Sequence, residues 1–230
     1  MIGRPRKGRD YEHRFPAALA IVVGVALYAA LPSDLTVGSR FIIPGLELAL
    51  LVPVLAFNPH RLQRQTRSSR ALSLALVGVI GIANLVSLVL LVRALVEGSA
   101  NDSHKLLLAA LQVWITNIIV FGLAYWELDR GGPVQRVALA RTEMPPADFR
   151  FSQDEDADAV AEVAASASDR VDWAPVFADY LYVSVTNSSA FSPTDTMPLS
   201  SRAKFLMGVQ ASSALIVSLL VIARAVGGLK

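Results

Sequence analysis

Apolar residues in this chain are gathered into long runs that recur from one end to the other, and this constrains its fold more than any single motif does. The runs are "PAALAIVVGVALYAAL" (Pro16 to Leu31), "FIIPGLELALLVPVLAF" (Phe41 to Phe57), "ALSLALVGVIGIANLVSLVLLVRAL" (Ala71 to Leu95), "LLLAALQVWITNIIVFGLAYW" (Leu106 to Trp126) and "FLMGVQASSALIVSLLVIARAV" (Phe205 to Val226). Roughly 17 to 25 apolar residues cross a ~30 Å hydrocarbon core as a helix. The sequence therefore predicts about five transmembrane helices, and five spans in 230 residues leave no room for a large soluble domain. A hydrophobic content of 53% against 17% charged residues agrees with that class, as does a mean hydropathy of +0.48.

Cysteine is absent, which removes disulfides, thiolate metal sites and cysteine nucleophiles from consideration. The sequence pI near 9.1 does not imply nucleic acid, because the basic residues flank apolar runs, where head groups and topology account for them. Arg4, Arg6, Lys7, Arg9 and Arg14 precede the first run, and Arg61, Arg64, Arg67 and Arg70 crowd the second connection. The other two short connections hold Arg40 and Lys105 alone. Positive charge marks the cytoplasmic side, so the N-terminus is expected in the cytoplasm of a multi-pass plasma (inner) membrane protein. "YAALPSD" is a weak cleavage pattern, and the first run is expected to be a retained anchor.

Three regions follow: an N-terminal four-helix membrane region (1–127), a soluble linker (128–173) and a C-terminal region (174–230). The linker opens with "DRGGP", where two glycines before a proline predict a helix stop. It turns acidic beyond Thr142, with Asp154, Glu155, Asp156 and Asp158 at its centre. Such a stretch reads first as solvated linker, and alternatively as a cation-concentrating patch at a pore mouth.

The C-terminal region begins with Trp173, Pro175 and the interfacial aromatics Phe177, Tyr180 and Tyr182, then reaches Thr186, Asn187, Ser188 and Ser189, which cannot face lipid. Pro193 and Pro198 forbid a continuous helix into the last run. A re-entrant half-helix and loop at about 174 to 200 satisfies both facts, since irregular backbone at membrane depth must line protein or water.

In this layout the chain resembles the pore-loop cation channels from Trp173 to its C-terminus, about a quarter of its length. "DYLYVSVT" looks like a pore helix, Ala190, Phe191, Ser192, Pro193 and Thr194 fall on the filter of the potassium-channel pattern, and Asp195 and Pro198 fall on the Asp and Pro that follow it. "AKFLMGVQASSALIVSLLVIARAV" looks like the inner helix. The resemblance implies small inorganic ions as partners and a homo-oligomer, a tetramer by preference. The filter chemistry departs from the pattern: no glycine lies between Gly132 and Gly208, and Pro193 locks one φ, so a potassium-selective carbonyl stack is not expected. What remains is a pore lined by hydroxyls, from Ser188, Ser189, Ser192, Thr194 and Thr196, with Asp195 as a charge ring. The charge count also brings the loop from the cytoplasmic face, inverted relative to potassium channels. "WELDRGGP", "ADFRFSQ" and "FSPTDTMPL" further resemble an uncharacterised family of bacterial integral membrane proteins.

Within the spans, Glu47 is the one carboxylate, set after Pro44 and Gly45. A carboxylate there is a candidate proton or cation site, or else a group bonded to a neighbouring helix. Asn84, Ser87, Gln112, Thr116 and Asn117 share helix faces and predict interhelical hydrogen bonds, and Gln210, Ser213 and Ser218 predict either a cavity lining or a packed interface. His13, His60 and His104 lie apart in connections, and no HExxH, phosphate loop or nucleophile elbow is present. No enzyme activity, cofactor, metal or nucleic-acid partner is expected.

The sequence thus predicts an all-α membrane protein with a re-entrant loop. Its expected function is that of an oligomeric pore-loop channel whose ion pathway is Ser189 to Asp195. The alternatives are a non-conducting scaffold or partner-binding protein, and a secondary transporter using Glu47.

Overall fold

The computed structural model describes residues 11–36, 39, 41–57, 60–62, 65–97, 103–155, 173–189 and 196–227. Within them the regular structure is helical except for one short two-stranded ribbon and an isolated bridge between His13 and Arg61. α1 (Phe15–Ala29) carries a proline in its first turn, where a missing N–H costs no helical bond. α2 (Ile42–Phe57) returns antiparallel to it, because the residues before α1 and after α2 are paired: Arg14 N donates to His60 O and Leu62 N to Glu12 O. α3 (Arg67–Glu97) starts at a reciprocal cap in which Thr66 and Ser69 exchange backbone N–H to hydroxyl bonds of 2.9 and 3.1 Å. α4 (Ser103–Leu128) runs back beside it.

Among the described residues, three helices are long and apolar enough to cross a membrane: α3, α4 and the last of them, α7 (Ser201–Gly227). α1 and α2 are apolar but only 15 and 16 residues long, about 23 Å at 1.5 Å per residue. The expected set of five spans therefore resolves into three helices of spanning length and two shorter ones. α1 stops where Leu31 and Leu35 fold under the bundle through a 3₁₀ turn at Ser33–Leu35, which Ser87 Oγ holds by donating to Leu35 O at 3.0 Å.

α4 is the centre of the bundle. It packs against α1, α3, α7 and a short helix, α6 (Phe177–Ser189), and 61% of its apolar window is buried against 28% for α7. Two buried apolar clusters stack along it. One, around Leu123, Tyr125, Trp126, Phe149 and Tyr180, lies towards its C-terminal end; the other, around Tyr28, Leu35, Leu91 and Leu106, lies towards its N-terminal end. Large apolar side chains such as Phe15, Ile82, Leu108, Phe205 and Ile222 remain on the outside, the inverse of a water-facing surface.

Residues 129–155 form a folded cap on one end. A 3₁₀ turn at Asp129–Gly131 leads through Gly132 into α5 (Pro133–Ala138), and β1 (Phe149–Phe151) pairs antiparallel with β2 (Thr196–Pro198), Phe149 opposite Pro198 and Phe151 opposite Thr196. "DRGGP" does stop α4: Arg130, Gly131 and Gly132 all have positive φ, and a Cβ on Gly132 would lie 2.0 Å from Arg70 Nη1. α1, α3, α6 and α7 all begin at this capped end, and α2 and α4 finish there.

Candidate functional site

α6 begins at the capped end, where Phe177 N donates to Glu12 Oε1 at 2.6 Å. Trp126 Nε1 donates to the other oxygen of the same carboxylate at 2.9 Å, so Glu12 ties the start of α6 to the end of α4. Burial raises the pKa of Glu12 above its usual value; the Arg136 charge and these two hydrogen bonds oppose that and do not cancel it. α6 then penetrates between α4 and α7 for only 13 residues. By Thr196 the chain is again at the capped end, in β2 beside Phe151.

The polar face of α6 meets a polar hub on α7. Gln210 is 0% exposed, and its Oε1 accepts from Tyr125 Oη at 2.6 Å and from Asn187 Nδ2 at 2.9 Å. Its Nε2 faces Ser184 O at 2.9 Å, Ser184 Oγ at 2.5 Å and Ser188 Oγ at 2.8 Å. Ser184 Oγ donates across to Ile118 O at 2.7 Å, and Asn187 Nδ2 also reaches Met207 O at 3.0 Å. Gln210 is thus part of a packed interface between α4, α6 and α7 rather than of a cavity lining. Ser213 and Ser218 bond back to carbonyls of their own helix.

Of the residues expected to line an ion pathway, Ser189 is exposed at the end of α6, and Ala190, Phe191, Ser192, Pro193, Thr194 and Asp195 lie outside the described residues. Ser188 and Thr196 are both buried in protein, the first on Gln210 and the second in β2. Glu47 is 1% exposed on the inward face of α2, with Pro44, Leu51 and Val54, and its Oε2 has no hydrogen-bond partner among the described residues. α2 packs chiefly on α1 and α3, so the fold does not join Glu47 to the polar face of α6.

A second polar assembly occupies the capped end. The last carbonyls of α4 and of the turn after it are each met by a guanidinium, Asp129 O also accepting from Gly132 N. Arg136 Nη1 donates to Trp126 O (2.6 Å) and Asp129 O (3.0 Å), Arg70 Nη2 to Glu127 O (2.7 Å) and Arg202 Nη2 to Leu128 O (3.1 Å). Cations here also suit the negative pole of the helix. Asp129, fully buried, accepts from Asp148 N, Phe149 N and Tyr180 Oη at 2.6, 3.3 and 2.5 Å. Asp148 in turn holds Arg202 and Ser200 at the start of α7.

Beside this assembly opens a cavity of about 390 Å³, lined by Arg130, Arg136, Arg141 and Arg150, with Phe149 and Trp173 among its walls. Arg130 bonds Phe149 O (3.1 Å) and Asp154 (2.5 Å), Arg136 lies 4.8 Å over the Tyr180 ring, and Arg150 bonds Glu155 (2.6 Å). Arg141 is exposed and donates to Trp173 O at 3.4 Å. Four arginines line the cavity against one lining carboxylate, Asp154; Arg130 is also paired with Asp129 and Arg150 with Glu155, and Arg136 is almost wholly buried, so the lining is basic by a small margin and suits an anion at the Arg141 and Arg150 rim. Nothing in the sequence marks these four arginines as a group; their convergence needs the β1–β2 pairing and the path back to Trp173. Among the described residues, no group of three or more His, Cys, Asp or Glu side chains is placed to hold a metal.

Comparison of the chain with family models, with curated proteins and with solved structures finds no match.

Proposed function

We propose that this is a membrane protein that binds an anionic phosphate group in the arginine-lined cavity of its cap. One observation carries the reading: four arginines of the cap segment, Arg130, Arg136, Arg141 and Arg150, converge on one cavity, at the level where the spanning helices α3 and α7 begin. Arginine is suited to phosphate oxygens because its planar fork donates two parallel hydrogen bonds. Thermal unfolding of the purified chain with phosphatidylglycerol, glycerol phosphate or phosphate-free monoolein tests it. A rise in Tm with the first alone points to a lipid headgroup, and with both phosphate compounds to the phosphate itself. Arg141 and Arg150 lie at the rim, so Arg141→Ala/Arg150→Ala is expected to abolish the shift while the chain still folds. An equal shift in that variant, or with monoolein, would refute the proposal.

A second reading is favoured by a different observation, the half-length α6 whose chain is back at its own starting end by Thr196. That is the layout of a re-entrant pore loop, and it supports ion conduction through an oligomer along Ser189 to Asp195. The hydroxyls of Ser184 and Ser188, and buried Thr196, are taken up within one chain, which favours a structural role for α6. Ion flux in liposomes separates the two, with Asp195→Ala expected to alter it only if the loop conducts. Loss with Glu47→Gln instead would support transport through α2.

A further inference from the structure

The acidic stretch of the cap begins at Asp154 and Glu155, and both of these acids end on arginines that line the cap cavity; Asp156 and Asp158 lie outside the described residues. β1 leads straight into a 3₁₀ turn at Ser152–Asp154. Glu155 N closes that turn by donating to Ser152 O at 2.9 Å, which brings the Glu155 side chain back beside Arg150. The two acids are held differently. Asp154 is part of the fold: its Oδ2 accepts from Arg130 Nη2 at 2.5 Å and from Phe151 N at 3.1 Å, and its side chain is 13% exposed. Glu155 places Oε1 on Arg150 Nε at 2.6 Å, with side chains 51% and 39% exposed. An ion pair this open is screened by solvent and contributes little to folding. Arg150 Nη2 reaches the Met197 thioether, a weak acceptor that does not anchor it.

Glu155 therefore has the properties of an exchangeable partner. At its rim the cavity offers a phosphate two arginines. Arg141 has a long bond, 3.4 Å to Trp173 O, whereas Arg150 already has a carboxylate on its Nε. A phosphate oxygen and the Glu155 carboxylate are acceptors of like charge for the same guanidinium, so the two compete. The phosphate has the advantage of drawing on both rim arginines, while Glu155 draws on one. We propose, on the phosphate reading of this cavity, that Glu155 is its internal counter-ion: it holds Arg150 when no anion is bound, gives it up to the phosphate, and thereby lowers the affinity of the site.

Isothermal titration of the full chain in detergent micelles with glycerol phosphate tests this role, using wild type, Glu155→Gln and Glu143→Gln. Glu143 is an exposed acid of the same cap, in the 3₁₀ turn at Arg141–Glu143, so Glu143→Gln removes an equal charge while leaving the Arg150 pair intact. Glu155→Gln is expected to fold as the wild type does and to bind glycerol phosphate about two- to fivefold more tightly, the range of an exposed ion pair. Glu143→Gln is expected to bind as the wild type does. Wild-type binding that Glu155→Gln leaves unchanged or weakens, or an equal gain in Glu143→Gln, would overturn the counter-ion role and leave the phosphate site standing. Absence of binding to all three proteins would overturn the phosphate site itself, and the role of Glu155 with it.

Discussion

Gln210 and Glu12 hold this fold at two points where a single side chain joins three segments. Gln210 links α4, α6 and α7, and replacing it by leucine leaves Tyr125, Ser184, Asn187 and Ser188 short of partners inside the bundle. Interhelical bonds in membranes are worth roughly 0.6 to 2 kcal/mol each, so Gln210→Leu is expected to cost about 3 kcal/mol of unfolding free energy. Ser213→Ala, which removes only a bond to Val209 O of the same helix, is expected to cost less than about 0.5 kcal/mol. Denaturation of both variants in mixed micelles measures the contrast. Glu12 differs because its pKa is raised in the folded chain, chiefly by burial. Folding therefore favours its protonated form, and that contribution is complete below the ordinary carboxylate pKa and lost as pH rises through the folded value. The Tm of wild type minus that of Glu12→Gln is accordingly expected to fall as pH rises above the ordinary carboxylate range; a flat or rising difference would contradict the assignment. Of these two residues, Gln210 was visible in the sequence as a polar group in an apolar run. Glu12 carried no signal, because its partners Trp126 and Phe177 lie far along the chain.

At the scale of elements, α6 is held against α4 by the absence of a side chain. A Cβ at Gly122 would lie 3.3 Å from the Cα of Leu181, so the two backbones approach as closely as glycine permits. Gly122→Leu is expected to push α6 off α4 and to cost about 1 to 3 kcal/mol through overpacking. Since the chain has no cysteine, a single Ser189→Cys reports on it: maleimide labelling at the end of α6 is expected to accelerate severalfold in the Gly122→Leu background and to stay unchanged with Gly45→Ala, where a Cβ meets nothing. The half-length of α6 was legible from Pro193, Pro198 and the Thr186 to Ser189 run, because the bilayer allows few places for such residues. Its docking was not, since Gly122 reads in sequence as one of several small residues in an apolar helix.

For the whole molecule, Arg61, Arg67, Arg70 and the starts of α1, α3, α6 and α7 gather at the capped end, and the positive-inside rule predicts a cytoplasmic position for that end. In intact cells, Ser33→Cys, exposed at the opposite end, is expected to react with a membrane-impermeant maleimide, and Ser152→Cys, exposed on the cap, to react only after permeabilisation. The reverse pattern would invert the topology. The sequence by itself determined the solvent of this protein, its helical class and the stop after α4, because each follows from local hydropathy or from backbone freedom at Gly131 and Gly132. Tertiary structure alone decided which polar residues are spent on packing and which remain available. Gln210, Ser184 and Asn187 satisfy one another, while Arg130, Arg136, Arg141 and Arg150 line a cavity. Hydrogen-bond satisfaction is a property of partners brought together from distant parts of the chain, and no periodicity along the sequence encodes it.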